Sequence, residues 1–189
     1  MEILFVDACP REQSRTRRLA GHVLDHLDGQ LTHLKLTETD IPEITEDRVN
    51  KRFLDGKNKD FHDPVYDLAV QFGKADIILI AAPCWDLSFP ALLKRYIEAI
   101  TVTGLTFRYS ETGTPIGMCR AKKLYYVTTS GGPIFEEAFG YGYLRTLAQG
   151  MYGIPECRCF TAENLDIIGN DPEQILREAA QKIDACFGM

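Results

Sequence analysis

Residues 76–88 read "DIILIAAPCWDLS". The run from Ile77 to Ala82 is apolar on both faces, the pattern of a central parallel strand covered by helices on each side. It stops at a proline, a cysteine, the chain's only tryptophan and an aspartate, whereas a merely connecting loop favours Gly, Asn and Ser. An indole offers a large flat surface with a polar N–H at its edge. A core tryptophan is the competing reading. The position beyond the carboxyl end of a strand, beside Asp86, favours a platform for a planar ligand.

The pattern on either side alternates strand and helix. "EILFV" at 2–6 is a short apolar strand, followed by a polar turn and a helix from Ser14 with Leu19, Val23, Leu24 and Leu27 on one stripe. "LTHLKL" at 31–36 has the period-two alternation of a strand near a sheet edge. Residues 37–64 read as a long, charged, irregular segment with a turn at "DGKNKD", and a helix follows near 64–74 with Pro64 in its first turn. Ser88 is placed to cap a helix burying Leu92, Leu93, Tyr96, Ile97 and Ile100. "GLTFRYSETGTPIG" at 104–117 reads as a short β arm, and "KLYYVTT" at 123–129 as the next central strand. A helix around 136–150, a strand near 156–161 and a last helix opening at Asp171 complete the series. Asp171 and Gln174 have the spacing of a capping box, and Leu176, Ala179, Ile183 and Phe187 form the inner face.

Such alternation specifies an α/β fold with helices on both faces of a parallel sheet. Five strands are too few for two mononucleotide halves, and the first turn, "DACPREQSR", contains no glycine, so a dinucleotide fingerprint is absent. The expectation is a flavodoxin-like three-layer α/β/α sandwich, a five-stranded parallel sheet of order 2-1-3-4-5, formed as one domain over 1–189. That topology puts the ligand beyond the carboxyl ends of the strands at the switch point, where the loops 8–16, 83–88 and 129–133 meet.

Composition bounds the partners. The 189 residues are 45 % hydrophobic and 25 % charged, with a net charge of −6. No broad basic stripe marks a nucleic-acid surface, and no apolar run approaches the roughly 20 residues that span a membrane. The start of the chain lacks a secretory signature, so a cytoplasmic protein is expected. Six cysteines and four histidines show no disulfide framework or zinc spacing.

Each loop has its own chemistry. Ser14, Arg15 and Thr16 open a helix, whose free N–H groups and positive dipole end favour an anion; Ser14 as a plain cap uses the same end. Arg11, Arg15, Arg17 and Arg18 crowd this region, either as an anion-binding mouth or as a solvated helix face. Pro83, Cys84, Trp85, Asp86 and Leu87 supply the flat surface and backbone donors. Thr129, Ser130, Gly131 and Gly132 permit close backbone approach. A phosphate in the first loop and a planar heterocycle between the other two describe a flavin mononucleotide, FMN, better than a nucleoside triphosphate, since no Walker loop is present.

With these motifs in view, the chain resembles the FMN-dependent NADH-azoreductases and NAD(P)H–quinone reductases of the flavodoxin-like superfamily. Pro83-Cys84-Trp85-Asp86-Leu87 is similar to the family's Pro-Met-Tyr-Asn-Phe segment, and "GLTFRY" to its Gly-Val-Thr-Phe-Arg-Tyr. The resemblance implies that Ser14, Arg15 and Thr16 hold the phosphate, that residues 83–87 run along the isoalloxazine ring, and that 129–132 lie at its pyrimidine side. It further implies NADH or NADPH as donor, a small aromatic acceptor (quinone, azo or related), and a homodimer. The family's phosphate-loop serine falls at Ala8, its ring-contact asparagine at Asp86, and its Ser-Arg-Gly-Gly at Thr129–Gly132. These departures favour a quinone or other acceptor over an azo dye.

Two other readings stand beside it. A flavodoxin-like carrier shares fold and FMN but passes single electrons to a protein partner. "CPREQSRT" also has the Cys-to-Arg spacing of low-molecular-weight tyrosine phosphatases, with Cys9 as nucleophile, Arg15 in the cradle and "DPVY" at 63–66 as an acid motif. Against the latter, Pro10 removes a loop N–H and Glu12 adds a like charge.

Overall fold

In the computed structural model, which describes residues 1–188, the chain runs β1 (Glu2–Asp7), α1 (Arg15–Leu24), β2 (Gln30–Lys35), α2 (Glu46–Asn58) and α3 (Asp67–Lys74). It continues through β3 (Ile77–Ala81), α4 (Ala91–Ile100), β4 (Phe107–Tyr109), β5 (Pro115–Gly117) and β6 (Lys123–Thr129), and ends with α5 (Tyr143–Leu147), β7 (Glu156–Ala162) and α6 (Pro172–Phe187). Five strands pair in the order β2-β1-β3-β6-β7, every neighbour parallel. This is the 2-1-3-4-5 order expected. The β4–β5 hairpin is the antiparallel arm.

Side-chain alternation sorts the core into two layers. Leu4, Val6, Ile78, Ile80, Leu124 and Tyr126 face the α3, α4 and α5 side, where Phe72, Leu93, Tyr96 and Leu144 meet them. Ile3, Phe5, Ile77, Leu79, Tyr125 and Val127 face α1 and α6, packing on Leu19, Val23, Leu176 and Ile183. All five residues of β3 are buried, and each of its large aliphatic side chains stabilises the fold by about 1.5–3 kcal/mol relative to exposure. No helix among the described residues is long and apolar enough to cross a membrane.

Three local expectations are corrected. Residues 37–64 contain helix α2: Thr45 accepts the Arg48 N–H as its cap, Glu46 and Asp47 favour its positive end, and Lys59 closes it in the left-handed conformation. "DGKNKD" is therefore the end of a helix. It escaped periodicity because α2 buries none of its residues; it is held instead by Arg52 donating to the Glu98 and Ala99 carbonyls and by Tyr66 donating to Asp55. Ser88 caps nothing, since α4 begins at Ala91 behind Pro90 and the Ser88 hydroxyl donates to the Phe139 carbonyl at 2.6 Å. The Asp171–Gln174 box is half made: Asp171 accepts from the Glu173 N–H, while the Gln174 amide turns to Glu178. The helix expected at 136–150 is present with π-helical turns at Ala138–Gly142 and Ala148–Tyr152.

Candidate functional site

Beyond the carboxyl ends of the strands the backbone ladder continues as single bonds that stitch the loops together. Ala8 donates to Ala81, Ala82 to Val127, Cys84 to Thr129 and Ser130 to Ala162, at 2.8–3.1 Å. A fourth loop joins them: Asn164, Leu165 and Asp166 donate to the carbonyls of Gly132, Ser130 and Gly131. The rim is thus a fixed frame.

At its centre lies a groove of about 140 Å³ with Ser14, Arg15, Thr16, Pro83, Cys84, Trp85, Thr129, Ser130 and Gly131 along its walls. Nine of the twelve residues expected from sequence therefore meet at one place. The other three do not line it. Leu87 faces a separate crevice of about 30 Å³ with Thr128 and Glu163, and Asp86 and Gly132 line neither.

The helix end provides donors. Ser14 Oγ accepts the Arg17 N–H at 3.2 Å, so Ser14 is a cap. The N–H groups of Gln13, Arg15 and Thr16 have no hydrogen-bond partner among the described residues, while that of Ser14 closes a turn onto Arg11, and such a set at a helix start favours an anion. The Thr16 hydroxyl is buried and meets that of Thr129 at 2.6 Å. One hydroxyl proton is consumed by this contact and the other stays available. Arg15 does not point at the free N–H groups. Its guanidinium bonds the Leu165 carbonyl at 3.4 Å and the Asp166 carboxylate at 2.8 Å. Arg17 is turned into the loop beneath and Arg18 pairs with Glu173 on the surface, so neither reads as part of an anion-binding mouth.

The Trp85 loop is a two-residue hairpin. Trp85 and Ser88 exchange N–H···O bonds of 2.8 and 2.9 Å, and Asp86 and Leu87 both have positive φ, 50° and 67°. That is a type I′ turn, which ordinarily takes Asn-Gly. The exchange uses the Trp85 N–H, leaving those of Asp86 and Leu87 as the turn's free donors. The indole is 41 % exposed, which removes the core reading of this tryptophan.

Sequence reasoning missed Asp166, which lines the groove with Pro10, Arg11 and Gln13. Nothing local signals it; it arrives through the ladder from β7. It does explain Gly131. A Cβ there would stand 2.5 Å from Asp166 Oδ2, so the close approach that this glycine permits is by a side chain of the same protein.

The phosphatase reading fails on Cys9. Its side chain is buried, its Sγ donates to the Ala81 carbonyl at 3.6 Å, and burial together with the neighbouring Asp7 charge pushes the thiol up to about 12. A nucleophilic thiolate needs the opposite shift. Asp63 of "DPVY" caps the turn before α3 and pairs with Lys51. At Cys84, burial and then the Glu163 charge also raise the thiol.

Known proteins share both sequence and shape. The flavodoxin-like fold family matches residues 1–186. The FMN-dependent NADH:quinone oxidoreductase 2 of Clostridium acetobutylicum is 37 % identical over 96 % of this chain and 95 % of its own length. The FMN-dependent NADH:quinone oxidoreductase of Caldicellulosiruptor saccharolyticus is 32 % identical over 97 % and 96 %. Among solved structures, the azoreductase of Bacillus anthracis strain Sterne superposes with a TM-score of 0.84 at 23 % identity, covering 99 % of this chain and 98 % of that one. An FMN-dependent NADH-azoreductase of the same species in complex with FMN gives 0.78 at 19 %, covering 98 % and 97 %. The structural likenesses speak for the fold.

Proposed function

This chain belongs to the flavodoxin-like fold family and is homologous to its FMN-dependent NADH:quinone oxidoreductases, and from that footing we propose that it carries two electrons from NADH or NADPH through FMN to a quinone, azo or related small aromatic acceptor. The observation that carries the reading is the pairing, in one groove, of the unpartnered N–H groups of Gln13, Arg15 and Thr16 with a half-exposed tryptophan.

The residues present fit an FMN. The groove alone is smaller than the roughly 300–1,000 Å³ of a closed ligand pocket, so its residues would hold the phosphate end of the group, and the exposed face of Trp85 would offer a flat surface to the rest. The N–H groups of Arg15 and Thr16 would hold the phosphate at the positive end of α1. Arg15 neutralises Asp166, the one carboxylate on the groove wall. When bound, FMN supplies the hydride-accepting chemistry. The protein's part is position and charge. Gly131 and Gly132 have N–H groups without partners among the described residues, and these would serve as fixed donors to a polar edge of the group. Trp85 would shield one side of the site from water. No protein nucleophile is needed, and Cys9 stays protonated and inert.

A homodimer belongs to the proposal. Leu87, Phe135 and Phe139 lie exposed on the rim around the Trp85 hairpin, and a second copy would cover them. Light scattering tests this against the monomer mass of 21.3 kDa: twice that value supports the reading, and a monomer at working concentration removes it. For the activity, a purified yellow protein that oxidises NADH only when a quinone is added is the expected result. Electron delivery only to an added protein partner would favour the carrier reading instead.

A further inference from the structure

We propose that Arg17, anchored on Asp7, is the template that holds the loop after β1 in its anion-binding shape, acting on a bound phosphate through the backbone without touching it. The inference rests on the FMN reading of the groove.

Asp7 ends β1 with its side chain fully buried. Its Oδ1 accepts the Cys9 N–H at 3.0 Å. Its Oδ2 meets Arg17 Nε and, at 3.1 Å, His33 Nε2 from the edge strand β2. The rest of the guanidinium gathers three carbonyls of one loop: Nη1 donates to Arg11 at 3.0 Å and to Glu12 at 2.7 Å, and Nη2 donates to Cys9 at 2.8 Å. A trans peptide points its C=O and the following N–H in opposite directions. Carbonyls of Arg11 and Glu12 drawn toward Arg17 therefore aim the N–H groups of Glu12 and Gln13 away from it. Gln13 and Ser14 line the groove, and the Gln13 N–H is one of the unpartnered donors there.

The loop needs an external template because its residues provide none. "DACPREQSR" has no glycine, and no residue in it takes a positive φ; Pro10 fixes φ at one position only, so residue type alone does not preset the curve of residues 11–14. Only arginine serves. Four bonds leave three nitrogens in a planar fork, which a single ammonium cannot reproduce. A loop ordered before binding avoids the entropic cost of ordering it around the ligand.

The test uses the full chain, wild type and Arg17→Lys, with dissociation constants for FMN and for riboflavin, which lacks the phosphate. Wild type is expected to prefer FMN. Arg17→Lys is expected to lose at least about tenfold of FMN affinity, the loss of a preorganised bond to a charged group, while riboflavin affinity stays within about twofold of wild type on the same scale. Equal losses for both flavins, or an unchanged preference in folded Arg17→Lys, overturn the proposal. A wild type that binds FMN no tighter than riboflavin also overturns it while leaving a flavin site standing; one that binds neither overturns the FMN reading itself. If Arg17→Lys does not fold, hydrogen exchange on wild type decides. FMN must protect the amides of residues 12–16 more than riboflavin does, and equal protection contradicts the template.

Discussion

The hydroxyls of Thr16 and Thr129 meet at 2.6 Å with both residues buried, so the first turn of α1 is tied directly to the end of β6. The loop that opens α1 and the loop that follows β6 are thereby fixed relative to one another. Thr16→Val should destabilise the protein by about 1–3 kcal/mol, because it leaves the buried Thr129 hydroxyl without its partner. Thr129→Val should cost about the same. The double variant should lose clearly less than the sum, the signature of direct coupling. Urea unfolding of the four proteins measures this, and strict additivity would show that the contact contributes nothing.

Leu87 sits at φ 67° in the second central position of the type I′ turn. The left-handed conformation costs a non-glycine residue roughly 1–2 kcal/mol, and glycine gives back roughly 0.5–1 kcal/mol in backbone entropy. Leu87→Gly should therefore raise stability by about 0.5–1 kcal/mol. A lower unfolding midpoint would mean that Leu87 packing outweighs the strain.

Asp7 makes stability depend on acid in a defined direction. Burial would raise its carboxyl, but the bonds from Arg17, Cys9 and His33 outweigh it and hold the group below its usual range. A depressed folded pKa contributes stability that is fully present above the unfolded value, near 3.9, and is lost as pH falls through the folded value. Asp7→Asn should lose on the order of 2–3 kcal/mol at pH 7 by leaving Arg17 without its charge partner. The gap between wild type and variant should narrow only below about pH 4. A gap that stays constant down to pH 2 would deny the ion pair its role.

Trp85 leaves two-fifths of its surface exposed, so removing it should spare the fold. Trp85→Ala should weaken FMN binding by up to about tenfold, the equivalent of 0.5–1.5 kcal/mol of aromatic contact, with the melting temperature of the flavin-free protein nearly unchanged. A large drop in melting temperature would return Trp85 to the core.

The sheet was legible because burial on both faces leaves a direct mark: "IILIA" at 77–81 and "LYYV" at 124–127 are buried whichever way their residues point, and those strands lie inside the sheet. Helix α2 was not legible. Its apolar residues Val49, Phe53 and Leu54 stay exposed, so no buried stripe exists to read, and its attachment runs through Arg52 and Asp55 to partners distant in sequence. In the candidate site, local rules brought Ser14, Thr16 and Trp85 to one groove, because they stand at a helix start and a strand end. They could not place Asp166, which reaches the groove through a ladder from another strand. They also put Arg17 among solvated or ligand-facing cations, because sequence does not show that a buried carboxylate ten residues earlier turns it inward.

The most direct measurement is the visible absorption of the purified protein, or of the flavin-free protein after addition of FMN, before and after anaerobic NADH. A yellow protein that holds FMN through gel filtration and bleaches with NADH is the predicted result. A colourless protein that cannot be loaded with FMN would contradict the account.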